Sequence, residues 1–259
     1  MSLSPTHWMR FVHKGASGFG RIEGAHVLVH VGDMFGAPTP TGLRLSLEEV
    51  GFDIPCRPTK MLALWNNFHA AAQKQGWAIP AEPLYFLKSP NSFAAHAARI
   101  PAPASYAGRV LYEGELGIVI GKAGRDIALE NAMGHVFGYT CVNDLTALDL
   151  LRSDPSFPQW TRAKGFDGFG PFGPVIATGL DPATLTVRTS VNGRERQNYK
   201  VADMIFPVAD LVHFLSRDMA LEAGDVISCG TSLGAGPLPA GARVVVSIEG
   251  IGALSNTYG

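Results

Sequence analysis

Two glutamates separated by a single residue are the first candidates for chemistry in this sequence. Glu113 and Glu115 lie in the segment YEGELGIVIG at residues 112–121. Successive side chains of a β-strand point to opposite faces, so both glutamates share one face while Leu116 and Ile118 take the other. Two neighbouring carboxylates repel each other unless a cation lies between them. The pair therefore indicates either a cation site or a solvated face of a sheet.

A third acid, Asp144, ends the apolar segment YTCVND at residues 139–144, just before a predicted helical turn at residues 145–151. The backbone holds a residue at the end of a strand, while the next loop leaves space for a ligand. Three carboxylates, none of which has a His or Cys next to it in the sequence, make a hard-oxygen site, which suits Mg²⁺, Mn²⁺ or Ca²⁺ and not Zn²⁺. Spacing along the chain does not decide whether Asp144 meets the two glutamates, and the question stays open at this level.

Two other motifs resemble functional signatures but lack the structural context of those signatures. The segment GTSLG at residues 230–234 matches the G-x-S-x-G pattern around a nucleophile, here Ser232. No helix pattern follows it, and the last histidine of the chain, His213, precedes it. The glycine-rich segment 164–174 lacks the G-K-[ST] ending of a phosphate-binding loop. We therefore predict neither a serine hydrolase nor a nucleotide site.

The composition describes a chain that can build a core around such a site. Of 259 residues, 46% are hydrophobic and 17% charged, and 21 basic residues nearly balance 22 acidic ones. This excludes a disordered chain and a basic surface for nucleic acid or acidic lipid. No apolar run approaches the roughly 20 residues of a membrane span. Three widely spaced cysteines, and an amino terminus without a basic and then apolar pattern, lead us to expect a soluble, cytoplasmic protein.

Short strand patterns must position these side chains. The chain has 30 glycines and 18 prolines, which favour many turns. The strongest helix pattern covers residues 207–219. A turn-rich connector at residues 32–58 leads us to divide the chain into a small β-rich amino-terminal domain, residues 1–55, and a main domain, residues 56–259. Runs of strands with few helices between them predict a β-dominated α+β fold.

Several motifs, in the same order along the chain, resemble those of the fumarylacetoacetate hydrolase superfamily. They are YEGELGIVIGK at 112–122, GYTCVND at 138–144, KGFD at 164–167, DMIF at 203–206, GDVI at 224–227 and EGIGALSN at 249–256. The similarity covers about residues 58–259. Residues 1–55 resemble the small β-rich domain that many bacterial members carry at the amino terminus.

The resemblance implies a layered β-sheet roll, usually a homodimer, that acts on a small 2-oxo or β-diketo acid. In such a protein Glu113, Glu115 and Asp144 would ligate Mg²⁺ or Mn²⁺, which polarises the substrate carbonyl and stabilises an enolate. Lys164 would bind the substrate carboxylate or the developing enolate. Thr231 would hold the acid end of the substrate.

The segment that activates water in hydrolytic members departs from the family pattern N-Y-x-x-H-x-x-E. Asn67 and Phe68 match its first two positions, which makes Phe68 a candidate substrate contact. Ala71 and Lys74 stand where the pattern has His and Glu. His69, two residues early, is the remaining candidate for the catalytic base.

Leu148 and Leu151 likewise replace the Arg and Gln that usually follow the N-D segment, so a more apolar pocket is expected. The resemblance to this family favours a hydrolase of C–C bonds in ketonic acids. Loss of an activating base costs hydrolysis about 10²–10⁴-fold. A decarboxylase or an enol–keto isomerase is therefore the alternative, and a non-catalytic family member is a third possibility.

Overall fold

The computed structural model describes residues 5–259. Residues 1–4 lie outside the described residues. They are the first residues of the predicted amino-terminal domain and of the terminus in which no signal-peptide pattern was found. The strands are β1 Thr6–His13, β2 Ala16–Glu23, β3 His26–Val31, β4 Thr39–Ser46, β5 Gly51–Phe52, β6 Met61–Trp65, β7 Leu84–Lys88, β8 Phe93–Ala94, β9 Arg99–Ile100, β10 Val110–Tyr112, β11 Gly114–Ile120, β12 Val136–Asn143, β13 Thr146–Ala147, β14 Gly170–Thr178, β15 Thr186–Val191, β16 Arg194–Lys200, β17 Val226–Ser228, β18 Gly236–Pro237, β19 Arg243–Ile248 and β20 Gly252–Tyr258. The α-helices are α1 His69–Gln75, α2 Leu148–Leu151, α3 Trp160–Lys164 and α4 Val208–Asp218.

One large sheet runs through the molecule in the order β4-β3-β2-β1-β14-β12-β11-β17-β6-β7, with β5 paired to β1 and β8 paired to β14. The amino-terminal meander joins it directly, because β1 pairs antiparallel with β14 and Thr6 lies opposite Thr178. Two smaller sheets have the orders β16-β15-β19-β20-β9 and β13-β10-β18. The predicted β-dominated α+β fold is confirmed. Among the described residues, no helix is both long and apolar enough to cross a membrane.

Strand β11 lies at the centre of the large sheet and is buried along its whole length. Leu116, Ile118 and Ile120 pack into the main core, which also contains the buried face of α4. On the opposite face of β11, Val119 packs with Val142 in a second apolar cluster. Both faces of the strand are therefore covered, and the structure excludes the solvated sheet face that the glutamate spacing also allowed.

Two segments differ from the pattern expected from sequence. The turn-rich connector contains β4, an edge strand of the large sheet that tolerates Pro40 because β4 has a partner on one side only. The glycine-rich segment at residues 164–174 contains the first half of β14, in which Gly173 pairs with Cys141 of β12. In both cases pairing with a strand distant in sequence overrides a local turn composition. A 3₁₀ helix, Leu129–His135, precedes β12.

Candidate metal centre

Strand pairing brings the first and third acids of the sequence together. Glu113 lies at the break between β10 and β11, and its carbonyl oxygen accepts a hydrogen bond of 2.8 Å from the amide of Asp144. Glu113 also donates its own amide to Oδ1 of Asn143, at 3.1 Å. Gly114 permits this arrangement, because a Cβ at that position would lie 2.0 Å from Oγ1 of Thr189.

The carboxylates of Glu113, Glu115 and Asp144 form a compact group. Each offers one oxygen, and these oxygens all lie within 4.8 Å of one another. Glu115 and Asp144 are buried, whereas the side chain of Glu113 keeps 17% exposure. A ligand that approaches from solvent therefore meets Glu113 first.

Two lysines compensate part of this negative charge. Lys164 Nζ donates to Oε2 of Glu113 at 2.8 Å and to Oδ2 of Asp144 at 2.5 Å. Lys88 Nζ donates to the other oxygen of Asp144 at 2.6 Å and to the carbonyl of Lys164 at 2.7 Å. With all five groups ionised, the three carboxylates exceed the two ammonium groups by one negative charge, which favours a further cation.

Lys164 was a candidate from the sequence motifs, whereas Lys88 was not. Lys88 ends β7, where it alternates with the exposed Leu87, and only 1% of it is accessible. A lysine on the buried face of a strand is stable only beside an anion. A lysine at a buried position of a strand was the signal available in the sequence. Asp144, the anion that explains it, lies 56 residues away in the chain.

The pKa values follow from burial and from these partners. Burial raises the pKa of Glu115 well above its ordinary value, and the carboxylates of Asp144 and Glu113 add to the rise. Burial also opposes the charged form of Asp144, but Lys164 and Lys88 outweigh it, so the pKa of Asp144 is lowered. For Lys164 the acids outweigh burial and raise the pKa. For Lys88 burial dominates, and the pKa is lowered.

Glu115 has one satisfied oxygen and one unsatisfied oxygen. Its Oε2 accepts hydrogen bonds from Ser228 Oγ at 2.5 Å and from the amide of Gly230 at 2.9 Å. Its Oε1 is buried and accepts no hydrogen bond from any described residue. A buried carboxylate oxygen without a donor is costly unless a ligand supplies the missing interaction.

Thr231 lies directly behind the glutamate strand. Its hydroxyl donates to the carbonyl of Gly114 at 2.9 Å and accepts from Gln197 Nε2 at 2.8 Å. Gln197 is buried and also accepts the amide of Gly114 at 2.9 Å. Thr231 and Gln197 thus fix the backbone between the two glutamates, and the predicted contact of Thr231 with substrate stays a prediction.

The segment before α1 is anchored beside the same centre. Asn67 is buried and donates to the carbonyl of Cys229 at 2.9 Å. The Phe68 ring has no accessible surface and contacts Tyr199 edge to face, with ring centroids 4.9 Å apart. His69 begins α1, is exposed, and forms no side-chain hydrogen bond with the described part of the chain. The structure thus places Phe68 in the core and His69 on the surface, and their proposed roles remain predictions.

Family models match both parts of the chain. The fumarylacetoacetate (FAA) hydrolase C-terminal model matches residues 60–258, and the Rv2993c-like N-terminal model matches residues 6–52. The chain therefore belongs to the fumarylacetoacetate hydrolase family of enzymes, as the sequence motifs predicted. The division near residue 55 lies between the two matched regions.

Relatives of this chain have several related activities in their names. Oxaloacetate tautomerase YisK of Bacillus subtilis is 38% identical over 83% of this chain and 75% of that protein. The crystal structure of 2-hydroxyhepta-2,4-diene-1,7-dioate isomerase from Mycobacterium marinum is 36% identical and covers 98% of both chains, with a TM-score of 0.89. The crystal structure of fumarylpyruvate hydrolase from Pseudomonas aeruginosa, in complex with Mn²⁺ and pyruvate, is 31% identical and covers 80% of this chain and 92% of that one, with a TM-score of 0.73.

Proposed function

We propose that this chain is a divalent-metal-dependent enzyme that acts on 2-oxo or β-diketo acids through an enolate, with enol–keto isomerisation as its main reaction. The observation that carries the proposal is the buried Oε1 of Glu115, which has no donor among the described residues and belongs to a carboxylate grouped with those of Glu113 and Asp144. This all-oxygen, anionic set fits Mg²⁺ or Mn²⁺, held by Glu113, Glu115 and Asp144. When bound there, the cation would supply a Lewis acid for the oxygens of a 2-oxo acid.

Lys164 supplies a fixed positive charge at the same place. Because Asp144 and Glu113 raise its pKa, the amine keeps its proton at neutral pH. It therefore donates a hydrogen bond to a substrate carboxylate or enolate oxygen and does not act as a base. Stabilising the enolate in this way serves isomerisation, decarboxylation and C–C cleavage equally.

The residues that would activate water argue for isomerisation over hydrolysis. Ala71 is buried on α1 and cannot accept a proton, and Lys74 is exposed. Hydrolysis of C–C bonds is the second candidate, because the Pseudomonas aeruginosa relative is named a fumarylpyruvate hydrolase. In that case His69 is the candidate base on α1. Decarboxylation of oxaloacetate-type acids needs no water and remains compatible with the same groups.

A substrate panel tests the proposal. We expect ketonisation of enol-oxaloacetate to depend on added Mg²⁺, to stop with EDTA, and to proceed at least as fast as hydrolysis of acylpyruvates. Decarboxylation of oxaloacetate is followed in parallel. Turnover that is unchanged by EDTA, or absent for every 2-oxo acid with Mg²⁺ present, would contradict the proposal.

His69→Ala separates the two leading reactions. We expect isomerisation to change little, whereas hydrolysis falls about 100-fold or more if His69 is its base. His26→Ala is the matched control, because His26 is also exposed but lies in the amino-terminal meander. Brisk hydrolysis that survives His69→Ala would mean that another residue supplies the base.

The homodimer implied by the family resemblance also remains a proposal. Sedimentation equilibrium measures the oligomeric state.

A further inference from the structure

Four aromatic rings form a continuous row that begins at Lys164. Lys164 Nζ lies 4.9 Å from the ring centroid of Phe86, and Phe86 stacks on Trp160 at 4.9 Å with an interplanar angle of 17°. Trp160 contacts Trp65 at 6.3 Å, and Trp65 contacts Trp77 at 4.9 Å. We call these four side chains the aromatic row. All four are only partly buried.

The secondary structure fixes the row to the carboxylate centre. On β7, Phe86 and Lys88 are two residues apart and share a face, and β6 places Ala63 opposite Phe86. On α3, Trp160 and Lys164 are four residues apart and also share a face. Each element therefore carries one lysine of the centre and one ring of the row. A substrate bound beside Lys164 lies at the beginning of the row.

The four rings of the row carry no charge. Leu148 and Leu151 occupy α2, and the carbonyl of Leu151 accepts the amide of Gln159, the residue before Trp160. Arg162 is exposed on α3, two residues from Trp160, and so points away from the face that carries the ring. Large rings clustered at the surface in this way mark a binding site for an apolar group.

Resting on the proposed function, we propose that the aromatic row binds the part of the substrate distal to the 2-oxo acid, and that this part is flat and uncharged, an aryl or conjugated group. Aromatic rings stack favourably on such groups beyond the area that they bury. A second carboxylate would instead lose water against uncharged rings without gaining a partner. The row thus determines which 2-oxo acids this enzyme selects.

Binding of three stable 2-oxo acids with the same head tests this assignment. Isothermal titration calorimetry with Mg²⁺ present compares pyruvate, phenylpyruvate and 2-oxoglutarate. We expect phenylpyruvate to bind about tenfold more tightly than pyruvate, and 2-oxoglutarate to bind no more tightly than pyruvate. Trp160→Ala should remove the advantage of phenylpyruvate while the affinity for pyruvate stays within about twofold.

Two further variants make the result specific. Trp8→Phe, in β1, is the matched tryptophan control and should change none of the three affinities. Trp160→Phe keeps a ring against Phe86 and should retain most of the preference for phenylpyruvate over pyruvate. This variant tests the assignment if Trp160→Ala does not fold, and a complete loss of the preference in it would contradict the assignment.

The outcomes separate the inference from the proposed function. Equal binding of pyruvate and phenylpyruvate, tighter binding of 2-oxoglutarate, or an equal loss of all ligands in Trp160→Ala overturns the inference and leaves the proposed function standing. Phenylpyruvate binding that depends on Trp160, in an enzyme that turns over no 2-oxo acid, supports the inference and removes the proposed function. If a second copy of the chain covers the row, phenylpyruvate has no advantage, and the inference fails.

Discussion

Two sites in this molecule pair buried acids with lysines, and they differ in how completely the carboxylate oxygens are hydrogen-bonded. Asp225 is fully buried before β17, and all its acceptor sites are used by nearby donors. Its Oδ1 accepts from Thr59 N, Thr59 Oγ1 and Lys60 N, at 2.9, 2.7 and 3.1 Å. Its Oδ2 accepts from Lys60 Nζ and from the amide of Glu222. One acid is thus matched by one lysine and several amides.

In the carboxylate centre, by contrast, not every carboxylate oxygen accepts a hydrogen bond. It gathers three acids around two lysines and leaves Oε1 of Glu115 without a donor among the described residues. A buried acid with a full set of donors ties chain segments together. A buried surplus of charge with an unfilled acceptor destabilises the protein alone and is explained by a ligand. Whether every carboxylate oxygen accepts a hydrogen bond therefore distinguishes a structural acid from a functional one.

The largest expected effect is on the structural side of this comparison. Asp225→Ala should lower the free energy of unfolding by about 3 kcal/mol or more, because it leaves Lys60 and several amides without an acceptor. Urea unfolding at pH 7 measures it, with Asp225→Asn as the milder control. A loss below about 1 kcal/mol would remove the distinction between the two sites.

On the functional side, Glu115→Gln should weaken Mn²⁺ or Mg²⁺ binding at least about 100-fold while the protein stays folded. No lysine contacts Glu115 by a hydrogen bond, so the substitution leaves no cation unpaired. Calorimetric titration measures the affinity. Glu195→Gln, on the exposed side of β16, is the matched control. Unchanged affinity would remove Glu115 from the ligand set.

Lys164→Met should lower kcat about 100-fold, a typical loss for one electrostatic donor, while metal binding is largely kept. Steady-state kinetics on the best substrate of the panel, with Lys122→Met as an exposed control, measures it. A variant at the wild-type rate would show that Lys164 only neutralises the acids, as Lys60 neutralises Asp225.

The free energy of unfolding of the metal-free protein should depend on pH, because the surplus negative charge in the centre is costly. The raised pKa of Glu115 means that its contribution to stability is full below the ordinary value of 4.5 and is lost as the pH rises toward the pKa in the folded state. With EDTA present, Glu115→Gln should therefore be more stable than the wild type at pH 8 and equal to it at pH 4. A difference that is independent of pH would contradict this account.

The smallest effect is expected at Ser232. Its hydroxyl is buried and has no hydrogen-bond partner in the described residues, and the chain after it forms no helix. Ser232→Ala should leave kcat within about tenfold of the wild type. Covalent labelling of Ser232 by a fluorophosphonate probe would overturn this expectation.

Local patterns in the sequence were sufficient for several features of the fold. The β-rich amino-terminal region, the central strands β11 and β12, and the amphipathic helix α4 all lie where the sequence pattern predicts them. The reason is that these elements bury a regular side-chain pattern, which is a property of the chain itself. The segments that sequence reasoning missed, β4 and the first half of β14, depend on partners elsewhere in the large sheet.

The candidate site divides in the same way. The sequence by itself placed the carboxylates of Glu113 and Glu115 side by side and limited them to a cation site or a solvated face, because extended-chain geometry and Coulomb repulsion are local. The structure differs only in placing Glu113 at the break just before β11. Only the tertiary structure decided that Asp144 joins them, since the antiparallel register of β11 and β12 places Gly114 opposite Asn143. It also decided that Lys88 and Lys164, 56 and 20 residues from Asp144 along the chain, share that acid. A contact between distant segments is set by strand pairing and packing, and no spacing within one segment records it.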